Sequence, residues 1–377
     1  MAEPVLNIEA NPSGLRATPL DALHRSLSAH MVPFAGYALP VQYRPGVMAE
    51  HLHCRAKAAL LDVSHMGQLS LRGPGAAAAL ERLTPGDFQT LHPGRQRYTL
   101  LLNEAGGILD DLMVANYGDR LVIVANASRK EADAHHLAQH LPADVALEQH
   151  PDRALLALQG PASAGIMAAL CPAAAALPFM GAVEAGIGGI PAWISRSGYT
   201  GEDGFEISAP ADQAKPLASL LLAQPDVLPA GLGARDSLRL EAGLCLYGSD
   251  IDELTTPVEA NLAWTIGKRR RTEGGFPGAA VVQDQLQHGP TRLRVGLRPD
   301  GRAPARAQTV IAAADGTEAG GVTSGGFSPS LRAPIAMGYV RRGLTAPGTP
   351  LHLVIRGAPQ PAAVVSMPFV PTRYHKR

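Results

Sequence analysis

The segment from Gly198 to Ser208, Gly-Tyr-Thr-Gly-Glu-Asp-Gly-Phe-Glu-Ile-Ser, most constrains what this chain can fold into. It joins two apolar runs typical of β-strands, residues 190–197 and 205–209, through a glycine-rich stretch, so it predicts a β-hairpin with its loop over residues 200–204. Glu206 then lies on the outgoing strand. Its carboxylate can accept hydrogen bonds from the ring NH and NH2 groups of a planar ligand that stacks on Tyr199. From spacing alone, the alternative remains that Glu206 is a solvated carboxylate at a sheet edge.

The length and composition predict a soluble enzyme of more than one domain. A chain of 377 residues exceeds what one hydrophobic core usually organises, and its apolar share of 46% can fill two or three cores. No apolar run approaches the length of a bilayer span, so we expect no membrane association. The 33 basic and 33 acidic residues cancel, which argues against nucleic acid as the principal ligand.

The three cysteines and the N-terminus indicate an intracellular protein. Cys54, Cys171 and Cys245 have no C-x-x-C spacing, so we expect buried thiols in a reducing compartment and neither a disulfide framework nor a metal site. Residues 1–14 carry no basic or apolar targeting pattern, which predicts a cytoplasmic location. A processed mitochondrial chain is the alternative.

Alternating elements predict an α+β fold. Strand-like runs (67–71, 97–102, 112–116 and 120–124) alternate with Ala/Leu-rich helices near 75–83 and 128–141. A further helix is predicted from Ala234 to about Leu244. Beyond a Gly- and Pro-bearing passage, short strands at 292–297, 351–355 and 362–366 predict a small C-terminal β-barrel.

Two adjacent carboxylates, Asp110 and Asp111, form the candidate reactive pair. They follow the turn Asn103-Glu-Ala-Gly-Gly and lead into a strand, where neighbouring side chains face opposite sides. Apolar residues flank the pair on both faces, so periodicity does not select the inward one. The alternative is a pair that ends a turn, because Asp is a favoured turn residue.

Eight blocks of this chain, in the same order, resemble the aminomethyltransferase family, the T-proteins of the glycine cleavage system. The resemblance extends over roughly residues 18–375, and eight collinear blocks are far more specific than one. The blocks are the Gly198–Ser208 segment and LDVSHMGQ (61–68), NEAGGILDDL (103–112), LALQGP (156–161), GLGARDSLRLEAG (231–243), TTPVE (255–259), VTSG (322–325) and MPFV (367–370).

The resemblance implies a three-domain cloverleaf around a folate channel. Its domains would be a discontinuous folate-binding domain (18–62 plus 151–275), an α+β domain (63–150) and a C-terminal β-barrel domain (285–377). The family reaction transfers the methylene carbon of the aminomethyl group on dihydrolipoyl H-protein to tetrahydrofolate, releasing ammonia and 5,10-methylenetetrahydrofolate. Tetrahydrofolate would be a co-substrate, no metal would be needed, and the lipoylated H-protein would be the partner.

The resemblance also implies roles for individual residues. Asp111, the second residue of the pair, would be the catalytic carboxylate, stabilising positive charge or handling a proton. Six further positions would bind substrate or folate: Tyr98, Asn126, Tyr199, Glu206, Arg235 and Tyr374. Arg235 suits a ligand carboxylate, whereas an ion pair with Asp236 or Glu241 is its structural alternative.

The run Lys268-Arg-Arg-Arg271 suggests attraction of an acidic H-protein surface or a polyglutamate tail, although a solvated charged face is the commoner origin of such runs.

Two other functions on the same fold are weighed against the transferase. A non-enzymatic folate-binding protein of iron–sulfur cluster maintenance would carry a cysteine-containing motif near residues 255–264, where this chain has no cysteine. The flavin oxidases that contain a related domain need several hundred further flavoprotein residues. The transferase is therefore the function predicted from the sequence.

Overall fold

The computed structural model describes residues 14–376, and within them the chain forms twenty β-strands and ten α-helices. Residues 1–13, on which the expectation about targeting depends, lie outside the described residues. The strands are β1 (Arg16–Ala17), β2 (His30–Phe34), β3 (Tyr37–Gln42), β4 (Ala58–Asp62), β5 (Gly67–Arg72), β6 (Arg95–Leu102), β7 (Ile108–Asn116), β8 (Leu121–Ala125), β9 (Ala146–Gln149), β10 (Arg153–Gln159), β11 (Ala182–Ile187), β12 (Ile190–Ser195), β13 (Gly204–Pro210), β14 (Val227–Pro229), β15 (Arg292–Pro299), β16 (Val310–Ala312), β17 (Glu318–Ser328), β18 (Ala333–Arg341), β19 (Pro350–Ile355) and β20 (Ala358–Val365). The helices are α1 (Asp21–Ser26), α2 (Val47–Ala56), α3 (Ala76–Glu81), α4 (Lys130–His140), α5 (Ser163–Leu170), α6 (Pro172–Ala175), α7 (Ala214–Leu222), α8 (Leu232–Glu241), α9 (Lys268–Glu273) and α10 (Ala279–His288).

A six-stranded sheet in the order β11-β12-β13-β10-β4-β14 joins early and late parts of the chain. Strand β4 pairs antiparallel with β10, with Leu156 opposite Asp62. Leu156, Phe205 and Ile207 lie in the core that α5 and α7 complete. The sheet thus includes strands from both segments of the predicted discontinuous domain, while the three-domain division and its boundaries stay a prediction.

A five-stranded antiparallel sheet, β6-β7-β8-β5-β9, carries the two aspartates. One face packs against α3 and α4 through Leu101, Leu112 and Leu137. Along β7 buried residues alternate with partly exposed ones, as expected for a strand with one core face. Asp110 lies among the buried residues, and Asp111 among the partly exposed ones.

Strands β15 to β20 close into a six-stranded barrel in the order β15-β18-β17-β16-β19-β20. Leu297, Ile311, Val340 and Leu353 fill its interior. The predicted α+β fold with a C-terminal β-barrel is confirmed. A small sheet, β1-β3-β2, covers the start of α8 through the packing of Leu39 and Leu232.

Within residues 14–376, each helix is too short or too polar to cross a bilayer. The three cysteines are free and buried, as predicted.

Candidate functional site

One large cavity lies where the two sheets and the barrel meet. Its volume is about 2050 Å³, and its wall includes residues from β6, β7, β13, α8 and β17. All seven residues predicted for the site line this cavity: Tyr98, Asp111, Asn126, Tyr199, Glu206, Arg235 and Tyr374. The fold therefore brings together side chains that are spread over most of the sequence.

The predicted hairpin is present, and its loop is held by a buried glutamine. Strand β12 pairs with β13, with Trp193 opposite Ser208. The amide of Gln159 donates to the Ser197 carbonyl at 2.9 Å and accepts a hydrogen bond from Thr200 Oγ1 at 2.8 Å. The first strand ends at Ser195, earlier than predicted. These hydrogen bonds fix the loop beside the cavity.

Glu206 lies on an inner strand, because β13 is flanked by β12 and β10. The edge-strand alternative is therefore wrong. Its carboxylate is partly buried, lines the cavity and accepts a hydrogen bond from Ser197 Oγ at 2.9 Å on Oε2. A carboxylate with lone pairs left over at a cavity wall is suited to accept hydrogen bonds from ligand NH groups.

Arg235 and Tyr199 pack face to face beside Glu206. The guanidinium carbon of Arg235 lies 4.6 Å from the centre of the Tyr199 ring, a cation–π contact. The Tyr199 hydroxyl donates to the Cys245 carbonyl, which leaves the ring as the available recognition surface. Burial lowers the pKa of Arg235 despite the opposing effects of Tyr199 and Glu206.

Asp236 and Glu241, the alternative ion-pair partners expected for Arg235, bind other residues. Asp236 lies 2.8 Å from Arg239, and Glu241 lies 2.8 Å from Arg55 and 3.1 Å from His51. Within residues 14–376, Arg235 forms no salt bridge, and its side chain makes one weak hydrogen bond, to Met66 Sδ at 3.9 Å. A partly buried guanidinium at a cavity wall, without a carboxylate partner, is well suited to an anionic ligand group.

Asp111 is a partly exposed carboxyl group at the cavity wall with a strongly raised pKa. Desolvation and, after it, the negative charge of Asp110 raise its pKa to about 7, although hydrogen bonds from Tyr98 and Asn126 oppose the shift. Asn126 Nδ2 lies 2.7 Å from Asp111 Oδ1. A carboxyl group that titrates near neutrality is suited to exchange a proton or to respond to a nearby positive charge.

Tyr98 forms a stacked pair with Trp264, a residue that the sequence reasoning missed. Their ring centres lie 5.5 Å apart at an interplanar angle of 23°. Trp264 lines the cavity and is still 63% exposed, which is unusual for a tryptophan. Two features of the sequence could have pointed to Trp264: it is one of two tryptophans in the chain, and it closely follows the TTPVE block.

Tyr374 stacks on Phe179, a second residue that was missed, with ring centres 4.1 Å apart. The neighbouring Arg373 lies 2.7 Å from Glu202 in the hairpin loop, and Arg373 N donates to the Gly201 carbonyl at 2.8 Å. The described C-terminal segment is therefore fixed against the hairpin. These contacts hold Tyr374 at the cavity wall.

The basic run 268–271 forms most of α9, and its arginines contact the protein itself. Arg269 binds Glu81 at 2.7 Å and Asp87 at 3.0 Å, while Arg270 is buried and donates to the Glu81 carbonyl at 2.6 Å. Arg271 donates to the Ala263 carbonyl at 2.7 Å. These contacts favour a structural use of the three arginines over a docking surface.

Two family models match consecutive parts of the chain. The GCVT N-terminal domain matches residues 20–270, and the glycine cleavage T-protein C-terminal barrel domain matches residues 292–371. The second match coincides with the six-stranded barrel.

Full-length relatives agree with these matches. The chain is 50% identical to the mitochondrial aminomethyltransferase of Gallus gallus, over 98% of this chain and 96% of the relative. It is 45% identical to the mitochondrial aminomethyltransferase of Flaveria trinervia, over 97% of this chain and 92% of the relative. The crystal structure of the glycine cleavage system aminomethyltransferase T from Bartonella henselae superposes with a TM-score of 0.92 at 44% identity, covering 96% of this chain and 100% of that one. The chain belongs to the aminomethyltransferase family, the T-proteins of the glycine cleavage system.

Proposed function

We propose that this protein is the tetrahydrofolate-dependent aminomethyltransferase of glycine cleavage. It transfers the methylene carbon of the aminomethyl group on dihydrolipoyl H-protein to tetrahydrofolate. The carbon loses its bonds to sulfur and to the amino nitrogen, and it gains bonds to N5 and N10 of the folate. The two protons from N5 and N10 leave on ammonia and on the lipoyl thiol. Near-full-length identity of 50% to an aminomethyltransferase carries this proposal.

The cavity is consistent with two reactants. A typical ligand pocket has a volume of about 300–1,000 Å³, and this cavity, at about 2050 Å³, is larger. It therefore has room for a folate together with a lipoyl arm. Proximity and orientation contribute most to a transfer between two bound groups, so a cavity that holds both is the main requirement.

Glu206, Arg235 and Tyr199 would bind the folate. The Glu206 carboxylate would accept hydrogen bonds from the pterin NH groups, since it keeps free lone pairs at the wall. Arg235 would bind a folate carboxylate, because within the described chain no carboxylate pairs with it. The ring of Tyr199 would supply an apolar face between them.

Asp111 would act on the reacting atoms. Its pKa of about 7 allows the ionised form to stabilise positive charge that develops on the transferred carbon, and the protonated form to return a proton. Asn126 would orient this carboxylate through the 2.7 Å hydrogen bond. Tyr98 and Tyr374, each stacked on a second aromatic ring, would form walls of the substrate cavity.

The partner of the reaction would be the lipoylated H-protein. The basic run 268–271 is a weaker candidate for its docking site than the sequence suggested, since three of its four side chains bind within the protein. The cytoplasmic location expected from the N-terminus is not supported by the comparisons, because the curated relatives carry mitochondrial names. A mitochondrial matrix location is the option that these relatives favour.

The test is the formation of methylenetetrahydrofolate from aminomethyl-loaded H-protein by the native chain. Turnover that requires both tetrahydrofolate and loaded H-protein is the expected result, with ammonia released in equal amount. Unloaded H-protein is the control. Folate binding without turnover would contradict the proposal and favour the non-enzymatic folate-binding function.

A further inference from the structure

The buried carboxyl group of Asp110, next to the proposed catalytic residue, has no role in the function as described above. It is 0% exposed and projects from the core face of β7, whereas Asp111 projects from the cavity face. Burying a carboxyl group costs free energy unless its oxygens are hydrogen-bonded. The contacts of Asp110 therefore show what its burial achieves.

Both oxygens of Asp110 bind one residue, Asn126. The Asn126 backbone N donates to Asp110 Oδ2 at 3.0 Å, and Asn126 Nδ2 donates to Asp110 Oδ1 at 2.9 Å. The register of β7 with β8 explains this arrangement, since Met113 lies opposite Val124 and continuing the ladder by two residues would place Asp111 opposite Asn126. Asn126 thus lies just beyond the strand end, within reach of both aspartates.

The same amide nitrogen connects Asp110 to Asp111. Asn126 Nδ2 lies 2.7 Å from Asp111 Oδ1 and 3.3 Å from the Asp111 carbonyl. Because Asp110 fixes the backbone and the side chain of Asn126 together, it determines where that amide meets Asp111. An amide held on one side only would be free to rotate away.

Asp110 also has a carboxyl neighbour on the side away from the cavity. Asp133 on α4 is 1% exposed and shares a hydrogen bond with Asp110. Burial and the charge of Asp133 raise the pKa of Asp110 well above its usual range, while burial raises the pKa of Asp133 to about 6. A protonated carboxyl group can donate to Asp133 and still accept at both oxygens, which an amide group cannot do.

We propose that Asp110 is a positioning residue, which holds Asn126 so that the Asn126 amide orients the Asp111 carboxylate toward the cavity. The inference rests on the proposed function, in which Asp111 acts on the reacting atoms. This role requires two acceptor oxygens at position 110, and a polar group of the same size with one acceptor would not suffice. Asp110→Asn keeps the volume but leaves a single acceptor for the two donors of Asn126.

The test compares kcat and its pH profile for the full chain with those of Asp110→Asn and Asp133→Asn, using loaded H-protein and tetrahydrofolate. We expect Asp110→Asn to lower kcat at its pH plateau by ~10- to 100-fold, the effect of misplacing a reacting group, with little change in KM for tetrahydrofolate. The matched control Asp133→Asn leaves the contacts of Asn126 in place, and its plateau kcat should stay within about twofold of the native value.

The pH profile separates positioning from packing. Asp110→Asn should move the limb governed by Asp111 to higher pH, because the displaced Asn126 amide no longer lowers the pKa of Asp111 through its hydrogen bond. The other titratable or charged groups around this cluster are Tyr98, Arg129, Asp133, Tyr199, Cys245 and Tyr247, and Asp110→Asn leaves all of them in place. A merely structural role would lower the thermal midpoint without moving this limb.

A double-mutant cycle with Asn126→Ala completes the test. If Asp110 acts through Asn126, adding Asp110→Asn to Asn126→Ala should change kcat by no more than about twofold. Additive losses, or a native plateau kcat in Asp110→Asn, would overturn the inference while the transferase function stands. An inactive native chain would overturn the proposed function and this inference together. Asp110→Ser, which also removes one acceptor, replaces Asp110→Asn if that variant does not fold, with the same expected loss.

Discussion

Gly198, at the start of the hairpin loop, leaves no room for a side chain. A Cβ atom there would lie 1.8 Å from Oε1 and 2.3 Å from Cδ of Gln159, a residue that is 1% exposed. Gly198→Ala must therefore displace the Gln159 amide, which would leave the Ser197 carbonyl without its donor and the Thr200 hydroxyl without its acceptor. Each buried polar group left unpaired costs about 1–3 kcal/mol, so we expect a loss of about 2–6 kcal/mol.

The assay is equilibrium urea unfolding of the six-stranded sheet, followed by the fluorescence of Trp193 on β12. A Trp264→Phe background removes the only other tryptophan, so that the signal reports this sheet. The matched control is Gly186→Ala on β11 of the same sheet, where a Cβ atom meets nothing within 4 Å. Its stability should stay within about 0.5 kcal/mol of the background, as for other open surface sites. Equal effects of the two substitutions would refute the reasoning.

Three further predictions concern charged groups. Because folding raises the pKa of Asp111 to about 7, the native protein loses stability as the pH rises from the unfolded pKa of this group towards 7. The variant Asp111→Asn has no such loss. Its thermal midpoint should therefore exceed the native value by an amount that grows over this pH range and is constant at higher pH. Arg270→Ala should lower the free energy of unfolding by about 2–4 kcal/mol in urea titrations, through loss of buried hydrogen bonds, whereas its exposed neighbour Lys268→Ala should be neutral. Arg373→Met should raise the KM for tetrahydrofolate and increase proteolysis of the C-terminal segment, because it removes the pair with Glu202, and unchanged values of both would contradict this role for the tail.

The periodic and local features of the sequence predict much of the fold. Alternation identifies the strands near the aspartate pair to within a few residues, and the glycine-rich segment identifies the hairpin. Helix α8 ends at Glu241, earlier than predicted, because Gly243 follows it with a φ of 69° that suits a helix terminus. Such end effects depend on one or two residues and are poorly resolved by periodicity.

Other features of the site depend on contacts between distant residues, which periodicity does not contain. Apolar flanks on both faces left open which of Asp110 and Asp111 faces the core. The packing of α4 against one face of the sheet puts Asp110 on the core side. Whether Glu206 lies on an edge or an inner strand depends on the pairing of β13 with β10, a strand some fifty residues earlier. Trp264 was missed for the same reason, since its partner Tyr98 is far away in the sequence.

The central claim is that Asp111 acts on the transferred carbon in a folate-dependent aminomethyl transfer. The direct measurement is single-turnover formation of methylenetetrahydrofolate by the native chain and by Asp111→Asn, with tetrahydrofolate affinity measured on the same samples. The account predicts native turnover and a variant that binds tetrahydrofolate but reacts at least ~100-fold more slowly, the scale of acid–base assistance. A variant that binds tetrahydrofolate and reacts at the native rate would contradict it.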